Sequence, residues 1–270
     1  MRWTLPDLLK RLRGAAPTAD APPAAVPEGL CVYAIGDVHG ERRCLDRMLA
    51  AIAADGAPGG RGAGLQPILV FLGDYVDRGP DSRGVLDRLC ELAAAAAAGA
   101  GPSCRFLLGN HESAMLGFLA EPAAHANWLE FGGMETLLSY GVRAPLGLGG
   151  PARLAALRDG LAAALPEAHR RLLAGLERMA EVGDYVFVHA GIRPGVPLDR
   201  QAEEDLLWIR EPFLSATRHH GKCVVHGHTI VERPALLPNR IAVDTGAYAT
   251  GLLTAVALHG TERRIIQTGP

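Results

Sequence analysis

Cysteine is scarce and unpaired in this chain. The five present (Cys31, Cys44, Cys90, Cys104, Cys223) form an odd set without a C-x-x-C pair, which excludes a disulfide framework. With no signal-like start, the expected state is reduced thiols in a cytoplasm. The opening MRWTLPDLLKRLRG places Pro6 and Asp7 where a signal peptide needs unbroken apolar residues. No apolar run approaches the ~20 residues of a membrane span. Charge of one sign is also missing. With 27 basic and 29 acidic residues the formal charge is −2, so a broad nucleic-acid surface is not expected. No internal period appears, which sets aside solenoids and propellers.

What remains is the composition of a folded globular protein, 49% hydrophobic and 21% charged over 270 residues, enough for one large α/β domain. Residues 1–28 stand apart. Leu5, Leu8, Leu9 and Leu12 follow helical spacing among Arg2, Lys10, Arg11 and Arg13, giving a short basic amphipathic helix followed by a Pro/Ala-rich linker. Such an arm suits contact with a membrane surface or a partner, or forms a terminus without a role.

From residue 29 onward, strand-length apolar runs end in small polar residues. CVYAI (31–35) leads into GDVHG, ILVFL (68–72) into GDYVDRG and CRFLL (104–108) into GNHE. YVFV (185–188) then leads into HAG, and CVV (223–225) into HGHT. Helical periods at 44–54 and 82–98 follow the first two turns, and strands are expected at 241–243, 252–258 and 263–267. Polar residues collected at the C-terminal ends of strands are how an open α/β sheet builds a site. Residues 113–180 have helical spacing without such turns, as expected of a helical insertion.

These turns supply Asp37, His39, Asp74, Asn110, His189 and His228. A carboxylate, amide and imidazole set without thiolate suits Mn²⁺, Fe²⁺ or Zn²⁺ better than an all-oxygen calcium cage. Six ligands sharing one carboxylate fill two sites, and two cations ~4 Å apart favour in-line displacement at phosphorus.

The ordered set GDVHG, GDYVDRG, GNHE, HAG and HGHT resembles the metallo-dependent phosphoesterases, and within them the phosphoprotein phosphatase branch of bacterial and phage type. The resemblance covers about residues 32–258. It implies a calcineurin-like α/β fold, a central β-sandwich flanked by helices with a helical insertion. It also implies a binuclear centre, one metal on Asp37, His39 and Asp74 and the other on Asp74, Asn110, His189 and His228. Manganese is the expected metal. The superfamily often ends in GHxH, whereas Ile230 occupies that last position here, as in the phosphatase branch. His226 competes with His228 for the ligand role; the motif favours His228.

Around these residues, Arg78, Arg210 and Asn110 are expected to hold the substrate phosphate, because guanidinium forks grip phosphoryl oxygens in bidentate fashion. Arg210 in DLLWIRE has the alternative of a surface ion pair with Glu204 or Glu211. His111 is expected to protonate the leaving oxygen, with Asp77 holding its tautomer. Trp128, Trp208 and Phe131 read as packing residues, although 125–141 also offers Trp128, Phe131 and Tyr140 as a substrate-facing edge. Tyr248 is either a mouth-lining aromatic or a buried strand-end residue. The activity implied is hydrolysis of phosphoserine or phosphothreonine in a phosphoprotein or phosphopeptide, by direct attack of a metal-bridging hydroxide. The alternative is a symmetric dinucleoside tetraphosphate hydrolase, which shares most of these motifs.

Overall fold

The computed structural model describes residues 23–269. The amphipathic segment around Leu5–Leu12 lies outside the described residues. Two five-stranded sheets face one another. The first carries β1 (Leu30–Ile35), β2 (Gln66–Phe71), β3 (Ser103–Phe106), β9 (Leu253–His259) and β10 (Glu262–Thr268), in the order β10-β9-β1-β2-β3. The second carries β4 (Met179–Val182), β5 (Tyr185–Val188), β6 (Cys223–His226), β7 (Ala235–Leu236) and β8 (Arg240–Ala242), in the order β4-β5-β6-β8-β7. In the first sheet β1, β2 and the edge strand β3 are parallel while β9 and β10 are antiparallel at the other side; in the second, β5, β6 and β8 are parallel at the centre and β4 and β7 are antiparallel at the two margins.

The continuous apolar runs follow from burial on both faces. In β1, Val32 and Ala34 point between the sheets, where they meet Phe187, Val225 and Val243 from the second sheet. Tyr33 and Ile35 point the other way, under helices. A half-solvated sheet would require alternation with polar residues; a covered one does not. The last residues of the Pro/Ala-rich tract join this core instead of serving as free linker. Ala24 and Val26 are buried within it, and the Val26 N–H donates to the Gly260 carbonyl at 2.9 Å.

Helix α1 (Arg42–Gly56) buries Cys44, Leu45, Met48, Leu49 and Ile52 against the first sheet, one face of a 3.6-residue period. Helix α2 (Ser82–Ala97) starts where the Asp81 carboxylate accepts the Gly84 N–H at 2.9 Å. The next helices form a layer on the same side: α3 (Asn110–Ala120), a 3₁₀ turn (Ala126–Phe131), α4 (Gly133–Ser139), α5 (Gly150–Ala164) and α6 (Glu167–Ala174). The layer differs from the 113–180 expectation at both ends. Helix α3 begins at Asn110 itself, and Met179 and Ala180 already belong to β4. The opposite face of the second sheet has a thinner cover, α7 (Glu203–Trp208) with Ile209 and Phe213. A short α8 (Ala247–Thr250) precedes β9. No helix among the described residues is long and apolar enough to cross a membrane.

Candidate metal centre and catalytic cleft

The parallel strands of both sheets release their chains at the same rim. Asp37 and His39 follow β1, Asp74 follows β2, Asn110 opens α3 after β3, His189 follows β5 and His228 follows β6. Backbone contacts stitch the loops together. The Val38 and His39 amides donate to the Asp74 carbonyl at 3.0 and 2.8 Å, and the Gly227 amide donates to the His189 carbonyl at 2.8 Å. The motif glycines permit these approaches. A Cβ on Gly79 would stand 2.1 Å from the His39 carbonyl oxygen, and one on Gly109 would stand 2.2 Å from Asp74 Oδ1.

Every non-glycine residue with positive φ among the described residues lies in this site: His39, Asp74, Asp77, Arg78 and His228. Each such backbone costs on the order of 1–3 kcal/mol and persists where its surroundings overdetermine it. The concentration of all five in one place marks a site built for geometry at the expense of backbone comfort.

Asp74 stands at the centre. Its Oδ2 lies 3.5 Å from His39 Nε2, and its Oδ1 lies 3.4 Å from His189 Nε2. The two oxygens therefore face two groups able to hold a metal ion, His39–Asp74–His111 and Asp74–His189–His228. His39 Nδ1 donates to the Val76 carbonyl at 2.9 Å and His189 Nδ1 to the Leu72 carbonyl at 2.8 Å, leaving each Nε2 lone pair turned inward. Asn110 Oδ1 lies 2.8 Å from His189 Nε2 and 2.9 Å from His228 Nδ1. His189 Nε2 and the Asn110 oxygen, both electron-pair donors once His189 Nδ1 is bonded to Leu72, thus converge there. Asp37, buried and without an ion pair among the described residues, lies outside both groups, and its carboxylate receives the His228 amide at 3.0 Å.

The electrostatics agree with that donor set. Burial, reinforced by the charges of Asp244 and Asp74, holds Asp37 well above the usual carboxylate range. Burial pushes His39 and His228 down to about 3, which keeps both imidazoles neutral. Neutral imidazoles gathered around a buried carboxylate are an environment that suits a divalent cation. The residues present fit such ions.

The remaining polar groups sit beside this centre. His111 Nδ1 donates to Asp77 Oδ2 at 2.7 Å. Burial opposes the charged form of His111, but the Asp74 and Asp77 carboxylates prevail and raise it above the ordinary imidazole value. The Arg78 guanidinium bridges His39 Nε2 and His111 Nε2 at 3.1 and 3.0 Å, and lies 4.7 Å from the centroid of the Tyr248 ring. Arg210 lines the same cleft and pairs with neither Glu204 nor Glu211 among the described residues. The cleft holds about 250 Å³ and is walled by Trp128, Phe131, Trp208 and His228.

Several expectations change here. Trp208 was expected to pack inside, yet it is 51% exposed at the cleft; Phe131 is likewise 57% exposed. Trp128 and Tyr140, offered as a substrate-facing edge, are buried. Tyr140 instead donates its hydroxyl to His169 Nδ1 at 2.7 Å. Tyr248 is 37% exposed beside Arg78 and His39. His226, the competing ligand, packs against Phe213 and lies outside both metal-capable groups.

Two residues escaped the sequence reading. Glu112, the last letter of GNHE, is buried and accepts the amides of Asp74, Tyr75, Val76 and Gly109 at 2.7–3.1 Å, so it shapes the loop that presents Asp74. Asp244 is buried close enough to raise Asp37. Its signal was available: it ends the run IAV as the other acids end theirs.

Comparison with known proteins places these features in a group. The calcineurin-like phosphoesterase family matches residues 31–248. A bis(5'-nucleosyl)-tetraphosphatase (asymmetrical) of Geobacillus thermodenitrificans is 26% identical over 82% of this chain and 88% of its own. A symmetrical bis(5'-nucleosyl)-tetraphosphatase of Acidovorax sp. is 32% identical over 82% of this chain, which spans only 49% of that relative. Among solved structures, a candidate diadenosine tetraphosphatase superposes with a TM-score of 0.61 at 22% identity, covering 92% of this chain and 99% of that one, a likeness of fold. The chain belongs to the calcineurin-like phosphoesterase family.

Proposed function

We propose that this phosphoesterase hydrolyses phosphomonoesters, with phosphoserine and phosphothreonine side chains of proteins as its substrates, in the cytoplasm. The observation that carries the reading is the shape of the cleft. Its volume of about 250 Å³ is open between Phe131 and Trp208. Pockets that engulf a small molecule run to ~300–1,000 Å³. A site of this size suits a phosphoryl group presented on a larger body, whose remaining parts stay on the surface.

Asp37, His39 and Asp74 would hold one divalent cation, and Asp74, Asn110, His189 and His228 the other; manganese suits this oxygen and imidazole set. The cations, when bound, supply Lewis-acid polarisation and a water of lowered pKa. The chain's own residues do the rest. Arg78 and Arg210 approach the cleft from different loops and would grip the non-bridging phosphoryl oxygens, neutralising charge as it develops. Asn110 lies beside them and would orient the same group. His111 lines the cleft, with Nδ1 tied to Asp77 and Nε2 3.0 Å from the Arg78 guanidinium. It would donate the Nε2 proton to the departing serine or threonine oxygen, and Asp77 would stabilise the charged ring before that transfer.

A second reading is favoured by the names of the two relatives. Exposed Trp208 and Phe131 offer faces on which a nucleobase could stack, and a dinucleoside tetraphosphate would present its chain to the same arginines. One assay separates the readings: phosphate release from a phosphoserine peptide and breakdown of a dinucleoside tetraphosphate, each with added Mn²⁺. The phosphatase reading expects the larger kcat/KM on the peptide. A larger value on the dinucleotide would overturn it.

A further inference from the structure

The sequence offers 125–141 of the helical layer as a substrate-facing edge, and the hydrogen bonds around Asp77 give two residues of that layer a different part to play. Asp77 Oδ2 accepts from His111 Nδ1 at 2.7 Å and also from Trp128 Nε1 at 2.8 Å. Its Oδ1 accepts from Thr136 Oγ1 at 2.6 Å. The Asp77 amide in turn donates to Thr136 Oγ1 at 2.9 Å and to Ser82 Oγ at 3.0 Å. Trp128 lies on the 3₁₀ turn and Thr136 on α4, so both anchors come from the helical layer. Asp77, Trp128 and Thr136 are all buried.

The intervening chain is fitted around the same residues. At Gly132, φ is 109°, its carbonyl accepts the Arg78 amide at 3.4 Å, and a Cβ there would stand 2.4 Å from the Arg78 nitrogen. A Cβ on Gly133 would strike the Trp128 ring at 2.5 Å. Asp77 itself has φ 73°, a backbone that its own preferences do not hold in place. Side-chain partners must therefore set where its carboxylate points.

We propose that Trp128 and Thr136 are positioning residues for the Asp77–His111 pair, and that segment 128–136 thereby fixes the direction in which His111 offers its proton. A buried carboxylate with three donors has one orientation; with one donor removed it can turn, and the imidazole bonded to it turns too. Misplacing a reacting group by about 1 Å costs on the order of 10²-fold in rate. The inference rests on the reading of His111 as proton donor to the leaving group.

The test compares Trp128→Phe, Thr136→Val, Thr136→Ser and His111→Asn in the full-length Mn²⁺-loaded protein. The substrates are a phosphoserine peptide and para-nitrophenyl phosphate, whose aryl oxide leaves without protonation. Trp128→Phe keeps a ring against Phe118, 5.0 Å away, and removes only the N–H. Expected for Trp128→Phe and Thr136→Val are a roughly 10–100-fold fall in kcat on the peptide, a much smaller fall on the aryl ester, unchanged KM and unchanged metal content. Thr136→Ser should restore the rate, and neither change should cost more once His111 is Asn. Equal losses on both substrates, or losses that add in full to His111→Asn, would overturn the proposal. If His111→Asn is itself indifferent to the leaving group, the proton-donor reading and this inference both fall. If His111→Asn discriminates and the two positioning variants do not, only this inference falls. Should Trp128→Phe fail to fold, Thr136→Val against Thr136→Ser decides it.

Discussion

The two halves of the site are assembled differently, although they share Asp74. The His39 half is supplied by the first sheet and the helical layer: His39 after β1, Arg78 after β2, His111 on α3, and Asp77 anchored by Trp128 and Thr136. The His189 half is built across the sandwich. His189 and His228 come from the second sheet, and His189 Nδ1 donates to the Leu72 carbonyl of the first. The first half is therefore rich in groups that move protons and grip oxygens. The second consists of imidazoles and an amide bonded to one another and to a backbone carbonyl. Groups suited to proton and oxygen handling collect where a layer outside the sandwich presses on the loops; the other half sits where the two sheets meet.

The largest expected effect comes from the residue both halves use. Asp74→Asn removes the charge facing both groups, so metal content should fall toward zero. Turnover should drop by about 10³-fold or more, because each ~1.4 kcal/mol of lost charge stabilisation is tenfold in rate. Elemental analysis and phosphate release check this together. Two metals per chain retained in this variant would contradict a shared carboxylate.

The next test separates the halves. His189→Asn should lose metal, whereas His111→Asn should keep it and lower kcat by roughly 10²–10⁴-fold. Metal loss from the His111 variant would make it a ligand of the His39 half, an arrangement the close His39–Asp74–His111 grouping allows geometrically.

A smaller effect belongs to the cleft wall. Arg210→Ala should reduce kcat/KM by roughly 10–100-fold, the value of one hydrogen bond to a charged group, with metal content unchanged. Comparing the phosphopeptide with a dinucleoside tetraphosphate shows whether Arg210 serves one substrate class or both. An unaltered kcat/KM on both would remove it from phosphate binding.

The smallest effect concerns how the helical layer is fastened. Buried His169 receives the Tyr140 hydroxyl on Nδ1 and offers Nε2 to Asp87 Oδ1 at 2.9 Å, with Arg83 nearby. Burial holds its pKa below the ordinary value despite Asp87. A histidine depressed in the folded state contributes stability above its unfolded pKa of about 6.5, and loses it as pH falls below that value. Acidification from about pH 7.5 to 5.5 should thus weaken the wild type more than His169→Gln. The difference should be at most about 1.4 kcal/mol per pH unit. Melting curves at both pH values measure it. Equal slopes would show that His169 carries no linked proton.

Much of this architecture was legible because the strands are buried on both faces and terminate in turns that tolerate few side chains. Runs such as CVYAI and ILVFL have no competing helical period, and the residues after them carry backbones that glycine and short polar side chains adopt. The gaps have physical causes as well. Strand β4 has only four residues with mixed burial and follows a helical stretch, so its pattern carries little signal. The fates of Trp128 and Trp208 could not be told apart, since a tryptophan near a turn has the same composition signal buried or exposed. Trp128 turns inward because Asp77 accepts its N–H; Trp208 is left at the rim because α7 buries Leu206 and Leu207 instead.

Sequence by itself pointed to an α/β domain and to six candidate ligands at strand ends, because continuous apolar runs, turn chemistry and donor type are local signals, while the sandwich and the pairing of ligands around two metals came from the family its motifs resemble. Only the tertiary structure decided what each side chain does next to the others. That Glu112 collects four amides, that Asp244 crowds Asp37, and that Trp128 and Thr136 hold Asp77 are contacts that, apart from the Gly109 amide, join residues 36 to 207 positions apart. Such contacts leave no periodicity in the chain, since they are set by how the layers close on one another.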